Sequence, residues 1–138
     1  MIKRWYRGHE GDVDALENFG VIWLTNSPIQ AEFYGELYDT GVVSAIDIDM
    51  DKLILPKKLY NGFDVWEPGQ EEFRYLEKTG CNAYIFNIDN IKCLGLLTKE
   101  AVVNVTIYKD IYNTFINENR LKNIVQEAIK KVLKTTLN

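Results

Sequence analysis

Hydrophobic and polar positions change their period several times along the chain, and each change predicts an element. Residues 2–8 are rich in aromatic and β-branched side chains and end on a glycine, which predicts a short strand. The acidic, polar stretch 10–18 predicts a loop. Residues 19–25, FGVIWLT, form an apolar run long enough for a buried strand and too short for a helix. Ser27 and Pro28 then supply an N-cap and a proline at the first helical position, so a helix is expected to about Tyr38. Ala31, Tyr34 and Tyr38 fall along one side of it.

Residues 41–51 alternate, with Ile46, Ile48 and Met50 against Asp47, Asp49 and Asp51, which predicts a strand with one dry and one wet face. The Pro-, Gly- and Asn-containing stretch 56–69 predicts a loop. Residues 70–79 predict a helix, with Lys78 in its last turn and Gly80 where a left-handed cap belongs. Residues 82–88 and 91–97 predict a hairpin turning near 88–90, and 102–108 a further strand. From Asp110 the pattern is helical. Ile124, Val125, Ala128, Ile129, Val132 and Leu133 make an apolar stripe that is expected to be buried beneath a solvated basic face. The order β-β-α-β-α-β-β-β-α does not alternate regularly enough for a doubly wound parallel sheet and implies an α+β fold. No internal repeat or linker divides it, so a single domain over 1–138 is expected, with 110–138 as a C-terminal helical extension.

Composition narrows the classes. A chain of 138 residues, 46% hydrophobic and 26% charged, matches an ordinary globular domain and argues against disorder throughout. No apolar run approaches the ~20 residues that span a bilayer, and no apolar run follows the basic start, so a cytoplasmic protein without a membrane partner is expected. Cys81 and Cys93 are expected as reduced thiols. One histidine and two scattered cysteines offer no metal-ligand pair at close spacing, so no metal is expected. A net charge of −4 makes a nucleic-acid partner unfavoured, although the last third is basic. There, Arg120, Lys122, Lys130, Lys131 and Lys134 stand against Glu118 and Glu127. A docking face for an acidic protein or nucleic acid is the second reading of that helix, behind a solvated surface.

Three segments carry the candidate chemistry. Trp5-Tyr6-Arg7-Gly8-His9 ends the first strand, and a glycine there lets a flat ligand approach the backbone, whose N–H and C=O could grip a carboxamide. Trp23-Leu24-Thr25-Asn26-Ser27-Pro28, followed by Ala31 and Tyr34-Gly35, delivers hydroxyls to a helix N-terminus that favours phosphate or ribose oxygens. Tyr34 offers an aromatic face for stacking. Glu71 and Glu72, then residues 75–86 and Asp89, form a helix feeding a hairpin that can present a carboxylate. Taken singly, each also reads as ordinary strand end, cap, core or solvated surface. Asp47-x-Asp49-x-Asp51 is set aside as a calcium loop, because Lys52 stands where the glycine belongs and Lys58 where the bidentate glutamate belongs. Neither a GxGxxG run nor a P-loop is present, and a nucleophilic pairing of Cys81 or Cys93 with His9 has no supporting local signature.

These three segments in this order resemble the ADP-ribosyltransferase-fold superfamily. The YRG of the first strand, the WLT with Ala31 and Tyr34-Gly35, and the Gly80-Cys81-Asn82-Ala83 run are the residues that carry the likeness. It covers roughly residues 5–108, and small bacterial and phage members, including phage anti-CRISPR transferases, are similar in size and layout. The resemblance implies a split β-sandwich with NAD, as substrate, in the cleft between two sheets. It places Arg7 in the first-motif slot and the Gly8 backbone against the nicotinamide amide. Thr25, with Trp23 beside it, takes the hydroxyl position, and Tyr34 stacks on nicotinamide. Tyr6, His9 and Ala31 complete the expected NAD contacts, with Trp5 as a further aromatic wall. The third-motif acid departs from the family pattern, since no Q-x-E or E-x-E stands on a late strand. Asp89 is the first choice, Glu100 the reserve, and Glu72 the weakest.

The implied activity is mono-ADP-ribosyl transfer from NAD to a macromolecule, a protein first. An NAD glycohydrolase and an inactive binding or inhibitor protein are the alternatives. The acid is needed because breaking the N-glycosidic bond leaves positive charge on the ribose, and a carboxylate bonded to the 2′-hydroxyl is most favourable as that charge develops.

Overall fold

The computed structural model describes residues 1–17, 20–56, 75–76 and 78–137, the side chains of 114–116 and 136–137 excepted, and in these the pattern of short apolar runs and turn residues builds six strands, two helices and part of a further helical segment. The elements are β1 (Ile2–Glu10), β2 (Ile22–Thr25), α1 (Pro28–Gly35), β3 (Gly41–Asp49), a 3₁₀ turn (Met50–Lys52), β4 (Ala83–Ile88), β5 (Ile91–Leu96), β6 (Val102–Asp110) and α2 (Ile111–Leu137). The class is α+β, with one antiparallel open sheet in the order β4-β5-β2-β1-β3-β6. The 57–74 stretch, which holds most of the expected loop and the start of the expected second helix, lies outside the described residues, as do Asn18 and Phe19. Tyr75, Leu76, Lys78 and Thr79 are helical, and Gly80 follows with φ 70°, the left-handed stop its position requires.

The sheet is continuous but unevenly joined. β1 pairs with β3 at every residue from Ile2↔Asp49 to Glu10↔Gly41. β4 pairs with β5 from Ala83↔Leu96 to Ile88↔Ile91, and β5 with β2 along the whole of β2. Between β1 and β2 the single partner pair is Tyr6↔Thr25. Two three-stranded halves therefore meet at one point and diverge on either side of it. The β4–β5 turn, at Asp89 and Asn90, has φ 49° and 67°, the two positive values of a tight hairpin whose twist matches its strands.

Apolar side chains form two buried clusters, while most of β6 stays exposed. Trp5, Ile22, Leu24, Ile46, Ile48, Leu94 and Leu96 form one cluster, and Val21, Leu76, Tyr84, Phe86 and Cys93 another. Gly95 leaves room for the Tyr84 ring, which lies where a Cβ would be, 2.5 Å from the ring carbon.

Two expectations are corrected. β3 is buried on both faces from Gly41 to Ile46, and the wet positions begin only at Asp47. It lies inside the sheet between β1 and β6, with α1 packed on one side, so its first half has no face left for water. Asp47 is held by Arg4, whose Nε donates to Oδ1 at 2.9 Å. The second correction concerns α2. Its stripe is exposed, with Ile124 at 60% and Ile129 at 53%, and every described residue from 117 to 135 is exposed. Among the described side chains of α2, Ile111 at its start packs, lying over Gly35. Beyond that the helix has run past the sheet, and no described element lies opposite the stripe. No helix among the described residues is long and apolar enough to cross a membrane.

Candidate functional site

Where β1 and β2 part beyond Tyr6↔Thr25, helix α1 closes the gap from one side. Ser27 caps it, accepting a hydrogen bond from the Gln30 N–H at 3.2 Å, and Pro28 occupies the first turn. Spacing then assigns the rows of the helix. Ala31 and Gly35 face inward onto Gly8, where an added Cβ would stand 1.9 Å from the Ala31 carbonyl oxygen and 2.4 Å from the Gly35 nitrogen. Glu32 reaches outward to β6 and pairs with Lys109. Gln30, Tyr34 and, in the turn after the helix, Tyr38 face the opening.

The result is a cleft of about 260 Å³ lined from four sides. β1 contributes Tyr6, Arg7 and Gly8, and β2 contributes Trp23, Leu24 and Thr25. The row Gln30, Tyr34 and Tyr38, with Leu37 beside it, forms a third wall. Phe86 and Ile88 of β4 with Cys93 of β5 complete it. Trp23 packs edge-on against Phe86, centroids 5.5 Å apart at 90°, and against Tyr84 at 6.0 Å, so the aromatic wall is fixed by its own neighbours. Thr25 accepts from the Ser27 N–H at 3.1 Å, and its hydroxyl also lies within hydrogen-bonding reach of the Cys93 sulfur. A depression of about 640 Å³ along Asn119, Asn123 and Lys131 is one open flank of α2, with no second wall among the described residues.

Arg7 is the one cation among the described lining residues, and no described carboxylate lines the cleft. Its guanidinium donates to the carbonyls of Ala15 and Glu17, both at 3.0 Å, and so ties down the loop between β1 and β2. Burial pushes its pKa below the usual value, with Tyr38 and Asp14 acting in the opposite direction. Arg7 is thus a half-buried cation, held by loop carbonyls and without a salt-bridge partner among the described residues, at the edge of the cleft.

Of the residues singled out from the sequence, Tyr6, Arg7, Gly8, Trp23, Thr25 and Tyr34 lie together in this cleft. His9 does not. It is buried on the side of β1 away from Tyr6 and Gly8, its ring nitrogens within 2.8 Å of the Glu10 carbonyl and 2.7 Å of the Ser44 hydroxyl, and burial pushes its pKa down. Ala31 is fully buried under α1 and acts through its carbonyl contact with Gly8. Trp5, expected as an aromatic wall, is a core residue at 1% exposure, because alternation along β1 sends it away from Tyr6.

The two acids fall differently. Asp89 is exposed in the β4–β5 turn, directly after the cleft residue Ile88. Glu100 is exposed in the β5–β6 turn at the other end of the sheet, next to Ala101, whose carbonyl accepts from the Asp49 N–H at 2.8 Å. Asp49 pairs with Ile2, four residues from Tyr6, which is about 13 Å along a strand. The structure does not bring Glu100 to the cleft. Glu71 and Glu72 lie outside the described residues.

Sequence reasoning missed Gln30, Leu37, Tyr38, Phe86, Ile88 and Cys93 as lining residues. The helical spacing of Gln30, Tyr34 and Tyr38 was the available signal for the first wall. The β4 and β5 contribution depends on the pairing Phe86↔Cys93, which the tight turn fixes, and on Thr25↔Cys93, a register no local pattern states. Burial pushes the Cys93 thiol up, against a smaller lowering by Thr25, so it is a poor nucleophile. Both His9 ring nitrogens are engaged by Glu10 and Ser44 instead. Cys81 and Cys93 are both free thiols.

No protein-family model, no curated protein and no solved structure matches the chain.

Proposed function

We propose that the cleft binds NAD and that the protein is a mono-ADP-ribosyltransferase of the split β-sandwich type, transferring ADP-ribose to a macromolecule. The observation that carries this reading is the convergence of Tyr6, Arg7, Gly8, Trp23, Thr25 and Tyr34 on one cleft at the point where the sheet's two halves part. The cleft has two chemical characters. Tyr6, Trp23, Tyr34, Tyr38 and Phe86 offer ring faces and edges, which suit a flat cationic pyridinium. Arg7 offers positive charge to a diphosphate. NAD carries both groups. At about 260 Å³ the cleft is below the ~300–1,000 Å³ of pockets that enclose drug-sized ligands, so it takes the nicotinamide and its ribose while the rest lies along the open side.

In the reaction the nicotinamide–ribose bond breaks with its electron pair passing to the ring nitrogen, and the ribose C1′ becomes cationic. The acceptor's nucleophilic atom bonds to C1′ and its proton passes to a base. Tyr34 and Trp23 hold the ring and exclude water, the Gly8 backbone takes the carboxamide, and Thr25 donates to ribose. Asp89, beside Ile88, is assigned the acid that meets the ribose 2′-hydroxyl.

One observation favours a second reading. No carboxylate lines the cleft among the described residues, which suits a protein that binds NAD without cleaving it. Incubation with NAD labelled on the adenylate half separates the cases. Transfer predicts label on a macromolecule, hydrolysis predicts free ADP-ribose, and the binding reading predicts a thermal shift with intact NAD. Absence of any shift with NAD or nicotinamide sinks all three. Asp89→Ala is expected to lower turnover by at least a hundredfold while the NAD thermal shift persists, and undiminished turnover in that variant removes Asp89 as the acid.

A further inference from the structure

The outer row of α1 reaches the cleft only at its last member, Leu37. Ile29 and Phe33, one turn apart, and Leu37 in the turn that follows are 68%, 65% and 78% exposed. They stand one position before Gln30, Tyr34 and Tyr38, so an apolar ridge runs beside the cleft wall along its whole length. Surface apolar residues are ordinary singly. Three large ones in line beside a cleft, with the exposed rings of Tyr34 and Tyr38 next to them, mark an interaction surface.

The charge on the chain segments that carry this ridge is acidic, and Lys109 of β6, paired with Glu32 and close enough to Glu36 to feel its charge, is a cation that reaches them from outside. Between residues 8 and 51 the sequence holds no lysine or arginine. Glu10, Asp12, Asp14 and Glu17 are exposed on the β1–β2 loop, and Glu36 and Asp39 on the turn after α1. The two segments adjoin, because the Gly11 N–H donates to the Thr40 carbonyl at 2.7 Å. Arg7 anchors the loop to the cleft through Ala15 and Glu17. An apolar ridge edged by carboxylates thus borders the cleft. Such a rim repels the phosphates of nucleic acid and attracts lysine and arginine.

We propose that this ridge and rim dock the acceptor, and that the acceptor is a protein presenting an apolar patch among basic residues. The proposal rests on the transferase reading of the cleft and adds what that reading leaves open, the chemistry of the surface that is modified. Apolar contact at the centre supplies affinity, and the carboxylates at the edge supply orientation and speed of encounter.

The test uses the full chain, labelled NAD and a cell lysate, with two double variants, Ile29→Ser/Phe33→Ser and Glu36→Lys/Asp39→Lys. None of these four residues lines the cleft, and Ile29, Phe33, Glu36 and Asp39 are all exposed, so folding and the NAD thermal shift are expected to be unchanged. Label should enter protease-sensitive, nuclease-resistant material, and each variant should lower it roughly tenfold or more. Added salt should weaken the wild type and leave the charge-reversed variant little affected. Nuclease-sensitive label, or protein label undiminished in both variants, overturns the docking surface while the NAD reading stands. An NAD thermal shift with no labelled macromolecule removes transfer and the docking surface together. No shift at all removes the cleft reading from which both proceed.

Discussion

Gly8 is where β1 and α1 come closest, and its missing side chain is what allows it. The sequence pointed to this glycine as a place for a flat ligand to approach the backbone. In the fold that space is taken first by the Ala31 carbonyl and the Gly35 nitrogen, so the glycine is needed to seat the helix that forms the cleft wall. Gly8→Ala is therefore expected to cost on the order of 1–3 kcal/mol, the range for overpacking a well-filled site, and to weaken NAD binding by displacing α1. Urea denaturation checks the first effect, and a midpoint within error of wild type rejects it. His9 is a different case. Burial lowers its pKa, so between its folded value and about 6.5 the unfolded chain binds a proton that the folded chain does not. Stability is fully present above about pH 6.5 and is lost as pH falls below it. A denaturation series from pH 8 to 5 should show this fall, and His9→Gln should flatten it.

At the scale of elements, local signals did best where they act locally. Ser27, Pro28 and Gly80 did the capping and stopping that their chemistry implies, and the hairpin turned where two residues tolerate positive φ. Ser27→Ala should cost about 1 kcal/mol in chemical denaturation, since the Gln30 N–H loses its acceptor at the start of the cleft wall. Unchanged stability in that variant argues that Thr25, which already holds the Ser27 N–H, carries the cap alone. α2 shows the limit of such signals. Its period correctly announces a helix with one apolar side, but period cannot say whether anything lies against that side. β3 shows the same limit in reverse, for alternation in its second half suggested a wet face that the neighbouring strands and α1 close over its first half.

For the whole molecule, the arrangement that matters is a sheet joined between its halves by one partner pair, with a helix leaning into the gap. If NAD binds there, folding and binding are linked. Ligand at a hundred times its dissociation constant should add about 2.7 kcal/mol, visible as a raised Tm. Tyr34→Ala should shrink that rise without a comparable loss of unliganded stability, Tyr34 being 44% exposed, whereas Thr25→Val should shrink it and also lower unliganded stability, because the Ser27 N–H loses its acceptor. Equal shifts in wild type and both variants would place NAD elsewhere on the protein.

The strands and helices among the described residues, the caps and the tight turn were legible along the chain, because each follows from spacing and side-chain chemistry over a few neighbours, whereas the six residues of the first two segments were singled out by the family resemblance and taken one by one read as ordinary strand, cap and core. Which strand faces which was not legible, since Phe86, Cys93 and Thr25 become neighbours only through pairing across 68 residues of sequence at the widest. The sides of His9 and Trp5, the distance of Glu100 and the bareness of α2 likewise belong to the assembled fold. Backbone hydrogen bonds between distant strands settle them, and those bonds are chosen by how whole surfaces pack rather than by any short run of residues.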